Sequence, residues 1–261
     1  MISGLIVYNS IDSKKNHRFI DLCLNKLNDE DFTLLFLDED FLLDYIKTHK
    51  VDYVIYRGRN HQIVESLEKK NIKVFNNSLT NKTANDKFLT YELLKNNNLP
   101  YIETCLKATS YPCIMKSVSG HGGQEVFLIN SEDELNSVLK LHPNLTFIYQ
   151  DYLSNDGDVR LYILDNKVIA AVKRSNSKDY RNNFSLGGQV EIYNPSKEMI
   201  DAALKINCLL NATFIGVDFL LTKDGFKIIE IEDPVGSRML YQTSNIEIVA
   251  KFCDVIRSNL I

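Results

Sequence analysis

The sequence has no long apolar run: no segment approaches the roughly 18 uninterrupted apolar residues that a membrane span needs. It has no excess of positive charge either, because its net charge at pH 7 is −4. Such a chain has no global attraction for nucleic acid or for an anionic membrane. Its N-terminal segment lacks the basic region of a secretory signal, so we expect no signal peptide. These absences predict that neither nucleic acid nor a membrane is a partner.

Cysteine and histidine are also sparse, with five residues of each type. The cysteines are odd in number and scattered, which is typical of reduced core residues and not of a disulfide framework or a zinc site. The histidines show no metal-ligand spacing, and the sequence has no Ser-His-Asp or Cys-His arrangement for nucleophilic catalysis. The sequence therefore predicts a cytoplasmic protein whose chemistry does not rely on a nucleophilic side chain.

Residues 1–80 show a regular alternation of apolar, strand-like runs and amphipathic segments. This rhythm predicts a small parallel sheet with helices on both faces. Ligands of such sheets bind beyond the C-terminal ends of the strands. Arg57 and Arg59 follow the third predicted strand, which makes them candidate contacts for an anionic substrate. The alternative, that both arginines are solvated loop residues without a ligand, fits the sequence at least as well.

Residues 216–232 consist of two alternating apolar segments around a turn, which predicts a β-hairpin. Three carboxylates, Asp218, Glu230 and Glu232, lie among its apolar residues. Like charges on neighbouring strands repel, so a cation between them would stabilise the cluster. Oxygen-only ligation suits Mg²⁺ or Ca²⁺, and Mg²⁺ commonly takes few protein carboxylates plus substrate phosphates. The alternative is an acidic edge that faces solvent, and the hairpin alone does not decide between the two.

The turn of this hairpin decides whether the carboxylates face each other. A two-residue turn of Asp224 and Gly225 would put Asp218 and Glu230 on opposite faces of the hairpin. A three-residue loop that also includes Lys223 would put them opposite each other on one face. Both turns fit the sequence, and the metal prediction requires the second.

A glycine cluster lies at residues 119–123, between two predicted strands. The backbone N–H groups of such a hairpin tip can close over phosphates, and Lys116 would add a point charge. The segment is not a Walker loop, because the Gly-Lys-Ser/Thr order and the following helix are missing. Glycines at a hairpin tip also serve turn geometry alone, so the cluster by itself is a weak signal.

From about residue 82 to about residue 250, these signals occur in an order that resembles the ATP-grasp superfamily. The chain is most similar to the RimK-like branch of carboxylate–amine (alpha-L-glutamate) ligases. Asp86-Lys87 resembles the start of the branch's first helix, and residues 112–123 resemble its phosphate-lid hairpin. Gln150-Asp151-Tyr152-Leu153 occupies the place of the adenine linker. Asp158-Val159-Arg160 resembles the Asp-x-Arg segment whose aspartate reaches the ribose.

The second half of the resemblance carries the catalytic elements. Arg174, Arg181-Asn182-Asn183 and Gly187-Gly188 resemble the branch's Arg…Phe-Arg-x-Asn…Gly-Gly loop. The segments 216–218 and 230–232 resemble its Gly-x-Asp and Glu-x-Asn metal-ligand elements. The resemblance implies that ATP phosphorylates a carboxylate to an acyl phosphate, and that an amine then displaces phosphate to form an amide.

The resemblance also implies roles for individual residues. It assigns ATP binding to Lys87, Lys116, Gly120, Gly122, Gly123, Gln150, Asp151, Tyr152, Leu153 and Asp158. It assigns Mg²⁺, as two ions and with Mn²⁺ as the alternative metal, to Asp218, Glu230 and Glu232. It assigns catalytic contacts with the γ-phosphate and the tetrahedral intermediate to Arg174, Arg181 and Asn183.

The chain departs from the branch near the acceptor side. Glu232 stands where relatives usually carry Asn, and residues 233–240 replace their usual Pro-Gly segment. The carboxylate and amine substrates therefore cannot be carried over, although an amino acid or peptide is expected. Arg57, Arg59 and Arg238 weakly indicate an acidic substrate. The oligomeric state is also left open, although related proteins often form dimers or tetramers.

The sequence thus predicts an α/β protein with α+β lobes and the ATP-grasp fold. Its predicted domains are a small N-terminal parallel α/β domain (1–82), a lid subdomain (83–153) and a C-terminal antiparallel-sheet domain (154–261). The predicted function is ATP-dependent ligation of a carboxylate to an amine. A non-catalytic ATP-binding regulatory or scaffold module and an ATP-grasp kinase are the alternatives.

Overall fold

The structure is a computed structural model that describes residues 1–176, 180–182 and 188–261. The predicted catalytic residue Asn183 lies outside the described residues. A four-stranded parallel sheet forms the N-terminal part, in the order β2-β1-β3-β4. Its strands are β1 (Ile2–Tyr8), β2 (Phe32–Asp38), β3 (Tyr53–Tyr56) and β4 (Lys73–Phe75). Its helices are α1 (Ser10–Lys15), α2 (His17–Lys26), α3 (Glu39–Thr48) and α4 (His61–Glu68).

Two helices, α5 (Ser78–Ala84) and α6 (Lys87–Asn96), connect this part to a second sheet. The second sheet is antiparallel, in the order β5-β8-β6-β7. Its strands are β5 (Thr104–Cys105), β6 (Cys113–Ser117), β7 (Val126–Ile129) and β8 (Phe147–Asp151), and α7 (Glu132–Leu141) accompanies them. We call this sheet the lid sheet.

The third sheet is antiparallel, in the order β11-β10-β9-β12-β13. Its strands are β9 (Asp158–Leu164), β10 (Lys167–Ser175), β11 (Gln189–Ile192), β12 (Phe214–Thr222) and β13 (Gly225–Glu232). Its helices are α8 (Lys197–Leu210), α9 (Arg238–Thr243) and α10 (Ile248–Ser258). We call it the C-terminal sheet.

The C-terminal helix joins two parts of the molecule. Phe252 on α10 lies with its ring centroid 6.3 Å from that of Phe19 on α2 and 5.2 Å from that of Phe214 on β12. All three side chains are buried in one apolar cluster. The hydrophobic effect thus fixes the N-terminal sheet against the C-terminal sheet.

The predicted fold class is confirmed, with a parallel N-terminal sheet followed by two antiparallel sheets. Each sheet lies within one of the three predicted domains, whose boundaries stay a prediction. Within the described ranges, no helix combines the length and apolar character required to cross a bilayer.

Candidate active site

The acidic hairpin forms as predicted, but its turn differs from both predicted turns. Thr222 pairs with Gly225, so Lys223 and Asp224 form a two-residue tip. Gly225 has a φ of +117°, a conformation that residues with a Cβ rarely adopt. The sequence placed Gly225 inside the turn, whereas the structure makes it the first residue of β13.

A register shift in β13 changes which residues face each other beyond this turn. The tip alone would put Asp218 opposite Ile229, but the ladder shifts between Asp218 and Phe219, and Asp218 lies opposite Glu230. A bulge inserts one extra residue into a strand and re-aims the side chains beyond it. Asp218 and Glu230 therefore share one face, as the metal prediction requires, although the bulge and not the turn is the cause.

The three carboxylates of the hairpin lie close together. Asp218, Glu230 and Glu232 each present an oxygen within 4.8 Å of the others. Asp218 is buried, and the two glutamates are partly exposed. Three hard oxygen donors at this spacing suit a divalent cation such as Mg²⁺. The chemistry of the donor set thus fits the metal that the sequence predicts.

Two arginines bind the buried carboxylate of Asp218. Arg160 lies opposite Asp218 on β9 and donates from Nε to Oδ1 and from Nη2 to Oδ2, both at 2.7 Å. Arg174 on β10 donates from Nη2 to the same Oδ2 at 2.7 Å. Burial acts to raise the pKa of Asp218, but the two guanidinium groups outweigh it and lower the pKa to about 2. Asp218 is therefore a carboxylate held in its charged form.

Sequence reasoning did not assign Arg160, which also donates from Nη2 to Glu232 Oε1 at 2.5 Å. Its position two residues after Asp158 was the available signal, because alternate residues of a strand share a face. Asp158, predicted to reach a ribose, accepts a hydrogen bond from Arg174 Nε, and the two residues lie opposite each other on β9 and β10. The ribose contact stays a prediction.

Lys87 links the acidic hairpin to the lid sheet. Asp86 caps α6 by accepting from the N–H groups of Phe88 and Leu89, which fixes Lys87 as the first helical residue. The Lys87 ammonium lies 3.3 Å from Glu230 Oε1 and donates to the carbonyl oxygen of Gly120 at the lid tip.

Lys116 projects from β6 toward the same carboxylates. Burial lowers the pKa of Lys116, and the negative charges of Glu230, Asp158 and Asp218 act against that effect. Among the residues that the structure describes, no carboxylate oxygen lies within 4 Å of its ammonium. Lys116 is therefore a cation without a direct ion-pair partner at the edge of the cleft.

A cleft between the lid sheet and the C-terminal sheet collects most of the predicted nucleotide and catalytic residues. They are Lys87, Lys116, Gly120, Gly123, Gln150, Asp151, Tyr152, Leu153, Asp158, Arg174 and Arg181. Two of the predicted metal ligands, Asp218 and Glu230, line the same cleft. Gln150 supplies a direct fit test for a nucleotide. Its Nε2 donates to Thr104 Oγ1 at 2.9 Å, while its buried Oε1 has no hydrogen-bond partner among the described residues. A buried acceptor without a partner suits a ligand donor such as the amino group of adenine.

The glycine segment forms the tip that the sequence predicts. A Cβ on Gly120 would lie 2.5 Å from both Glu125 Oε2 and Ser117 Oγ, so a larger residue there would require these side chains to shift. Gly122 has a φ of +67°, which favours glycine. Arg181 donates from Nη1 to the carbonyl oxygen of Gly123 at 3.0 Å, which brings this predicted catalytic residue to the lid tip.

A second cavity lies beside the cleft, between the lid tip, the N-terminal sheet and the segment after Glu232. Gly122 and Glu232 line this cavity together with six cations. The cations are Lys15, Arg57, Arg59, Arg160, Arg174 and Arg238. Since Arg174 and His121 line both spaces, the cavity adjoins the cleft. We call it the acceptor cavity.

The three arginines predicted to contact substrate differ in their surroundings. Arg57 is buried and donates from Nη2 to the carbonyl oxygen of Val235 at 2.7 Å and from Nε to Tyr8 Oη at 3.1 Å. Arg59 forms a 2.7 Å ion pair with Asp12. Arg238 is exposed at the first position of α9. Their contacts with a substrate stay a prediction.

Solved structures share this fold along the whole chain. D-alanine–D-alanine ligase from Bacillus anthracis, complexed with ATP, superposes with a TM-score of 0.80 at 15% identity and covers 100% of this chain and 97% of that one. The ATP-grasp ligase PsnB, complexed with a precursor variant, Mg and ADP, superposes with a TM-score of 0.76 at 16% identity and covers 100% and 99%. At these identities the likeness shows the fold.

Sequence relatives give the family. "Uncharacterized protein MG011" of Mycoplasma genitalium is 32% identical over 252 residues, which cover 92% of this chain and 86% of that protein. Tetrahydromethanopterin:alpha-L-glutamate ligase of Methanocaldococcus jannaschii is 28% identical over 192 residues, which cover 66% of each chain. The sequence model of the RimK-like ATP-grasp domain matches residues 84–256, more than half of the chain. The chain therefore belongs to the RimK-like ATP-grasp family.

Proposed function

We propose that this protein is a Mg²⁺-dependent ligase that uses ATP to join a carboxylate to an amine. The observation that carries the proposal is the juxtaposition, in one cleft, of the three hairpin carboxylates with Lys87, Lys116 and the unpaired acceptor of Gln150. Membership of the RimK-like ATP-grasp family supports the reaction class. The substrate carboxylate attacks the γ-phosphorus and ADP leaves; the amine then attacks the acyl carbon, phosphate leaves, and the nitrogen loses a proton.

The hairpin carboxylates would hold the metal ions, two in number. Mg²⁺ held there would neutralise charge on the phosphates, which phosphoryl transfer requires. Asp218 already accepts three N–H donors, so one lone pair on Oδ1 remains for a ligand bond. Glu230 and Glu232 are partly exposed, and among the described residues Glu230 pairs only with Lys87 and Glu232 only with Arg160. We therefore assign most of the ligation to the two glutamates.

The cations of the site balance its carboxylates in number. The site contains four carboxylates and four cations. The carboxylates are those of Asp158, Asp218, Glu230 and Glu232, and the cations are those of Arg160, Arg174, Lys87 and Lys116. Within this set of eight groups, the positive and negative charges offset each other at short range. Positioned cations can act on charge that develops during the reaction without reorganising.

Arg174 and Arg181 take the catalytic part of this proposal. The Arg174 guanidinium is fixed by Asp158 and Asp218 where the cleft meets the acceptor cavity, so it can contact both phosphate and acyl oxygen. Arg181 approaches from the lid tip. Asn183, outside the described residues, keeps the orienting role that the family resemblance implies.

The acceptor cavity favours an anionic substrate. Three of its cations, Lys15, Arg57 and Arg238, have no carboxylate partner within 4 Å among the described residues. The charge of Arg57 is buried and therefore weakly screened. An amino acid or peptide with a free carboxylate has the required charge. Glutamate, which the name of the M. jannaschii relative contains, is the first candidate to test. The cytoplasmic location expected from the sequence belongs to the same proposal.

The decisive experiment is a screen for phosphate release from Mg-ATP over amino acids, small carboxylates and acidic peptides. Ligation requires release of ADP and phosphate only when a carboxylate and an amine are both present, with an amide product by mass spectrometry. A stable phosphorylated product would instead identify a kinase. Nucleotide binding without release under every condition would favour a non-catalytic module. Glu230→Gln should abolish release, while Glu103→Gln, at an exposed carboxylate on the surface, should leave it unchanged.

A further inference from the structure

The residue directly after the acidic hairpin is a buried carboxylate. Asp233 is 5% exposed, and both side-chain oxygens accept from asparagine amides. Asn76 Nδ2 donates to Oδ1 at 2.9 Å, and Asn81 Nδ2 donates to Oδ2 at 3.1 Å. Asn85 Nδ2 donates to the backbone oxygen of Asp233 at 2.8 Å. These three asparagines precede Asp233 by about 150 residues or more, so the contact joins distant parts of the chain.

Asn76 also holds the other strand of the hairpin. Its Nδ2 donates to the carbonyl oxygen of Phe214 at 2.7 Å, and its Oδ1 accepts from the N–H groups of Phe214 and Thr213 at 2.9 and 2.7 Å. Phe214 is the first residue of β12, and Asp233 follows the last residue of β13. One asparagine side chain therefore bridges the two strands at the hairpin end opposite its turn.

The segment after Asp233 packs closely against the end of the hairpin opposite its turn. Val235 is fully buried, and a Cβ on Gly216 would lie 2.8 Å from Val235 Cγ2 and 3.3 Å from Glu232 Cβ. Arg57 binds the carbonyl oxygen of Val235. Glu232 is paired with Gly216 across the strands, so its backbone lies between the bulge and this fixed segment.

We propose that Asp233, through Asn76, Asn81 and Asn85, is a positioning residue for the Glu232 carboxylate in the metal site. This inference rests on the proposed function, because it assumes that Glu232 takes part in metal binding. Without the asparagine contacts, the end of β13 would fray, and the spacing of Glu232 from Asp218 and Glu230 would widen. Groups hydrogen-bonded directly to metal ligands change metal affinity by about 10–100-fold when mutated, and Asp233, which acts through the backbone of Glu232, should fall at the lower end of that range.

The test measures Mn²⁺ affinity by electron paramagnetic resonance in the presence of ADP, with ADP affinity measured separately by calorimetry without metal. Asp233→Asn keeps the side-chain volume but replaces one acceptor oxygen with an amide nitrogen. That nitrogen would face the Nδ2 donor of Asn76 or Asn81, so one hydrogen bond would be lost. We expect Mn²⁺ affinity to fall about 10-fold or more, while metal-free ADP affinity stays within about twofold. Asn85→Ala, which leaves the Asp233 carboxylate intact, should give a smaller fall in the same direction.

The matched control is Asn207→Ala on α8. Asn207 is also fully buried and uses its amide to bind Asn166 Oδ1 at 2.8 Å and the carbonyl oxygen of Ala212 at 3.1 Å. This variant should lower the melting temperature and leave Mn²⁺ affinity unchanged. An equal fall in Mn²⁺ affinity in the control would show a general effect of stability and overturn the inference.

The remaining outcomes separate the inference from the proposed function. If the unaltered protein binds Mn²⁺ with ADP and Asp233→Asn binds it equally well, the inference is wrong and the metal site stands. If the unaltered protein binds no Mn²⁺ with ADP, the metal site of the proposed function is wrong and the inference falls with it. If Asp233→Asn does not fold, the Mn²⁺ affinity of Asn85→Ala decides, and an unchanged value overturns the inference.

Discussion

Arg160 binds Asp218 through both carboxylate oxygens, with Nε–Oδ1 and Nη2–Oδ2 distances of 2.7 Å. The same guanidinium reaches Glu232 at 2.5 Å. A planar, five-donor group matches two carboxylates in a way that an ammonium cannot. Glu232 and Asp218 thus share one buried guanidinium.

Replacing Arg160 with lysine should destabilise the protein. Arg160→Lys keeps the charge but loses the paired donors to a buried carboxylate, and hydrogen bonds to charged groups contribute about 1.5–3 kcal/mol each. We expect the free energy of unfolding, measured by urea titration with circular dichroism, to fall by about 2 kcal/mol. Asp44→Asn, which removes the exposed Lys47–Asp44 ion pair, should change it little. Equal stability of Arg160→Lys and the unaltered protein would contradict the prediction.

The pH dependence of ATP binding should depend on Lys116. Burial lowers the pKa of Lys116 below its ordinary value of 10.5, and bound phosphates would raise it again by favouring the charged form. ATP binding should therefore take up protons in alkaline solution, and the affinity should fall as the pH rises through the lowered pKa. Calorimetry in alkaline buffers of different ionisation enthalpy measures this uptake.

Lys116→Met provides the control for this proton linkage, since it keeps an apolar stem and removes the titrating group. The variant should bind ATP more weakly and lose the buffer-dependent enthalpy that Lys116 contributes. If the proton uptake persists unchanged in Lys116→Met, another group is responsible and the prediction is wrong.

Two glycines with positive φ should respond differently to alanine. Gly157 has a φ of +109°, and a Cβ there would collide with the carbonyl oxygen of Arg174. Gly122 has a φ of +67° but open space around it, so Gly122→Ala adds only backbone strain of about 1–2 kcal/mol. Gly157→Ala should lower the free energy of unfolding by more than Gly122→Ala does, because the carbonyl that it displaces belongs to the residue that binds Asp218. Urea titration compares the two, and a smaller loss for Gly157→Ala would refute the prediction.

Tyr180 should hold its neighbour Arg181 in place against the lid sheet. Its hydroxyl donates to the carbonyl oxygen of Val126 at 2.7 Å and accepts from the N–H group of Leu128 at 3.2 Å, both on the edge strand β7. Its neighbour Arg181 binds Gly123 at the lid tip. Tyr180→Phe removes both strand contacts, so Arg181 loses part of its fixed position.

We expect Tyr180→Phe to lower kcat about 10-fold, because small misplacements of a catalytic group reduce rates strongly. Steady-state phosphate release with the acceptor found in the screen measures this value. Tyr101→Phe is the control, since its hydroxyl binds Glu103 at the surface. If both variants retain full kcat, the Tyr180 contact does not serve catalysis.

The sequence by itself determined much of this protein. Local periodicity and turn residues can be read from the sequence alone. They predict the alternation of strands and helices in residues 1–80, the acidic hairpin and the glycine segment. The ordered motifs identified the ATP-grasp branch, and both the family and the fold class are confirmed. Most of the predicted nucleotide and catalytic residues then meet in one cleft, because they lie on strands and turns that the motifs place in order.

The tertiary structure decided the details that make the site specific. The bulge in β13, and not the turn, sets Asp218 opposite Glu230. Arg160 meets Asp218 across 58 residues of sequence, and Asn76 meets Asp233 across 157. Local periodicity carries no information about such pairs, since their geometry depends on how three sheets pack around shared apolar clusters. Only packing shows that three asparagines, Asn76, Asn81 and Asn85, hold the end of the acidic hairpin.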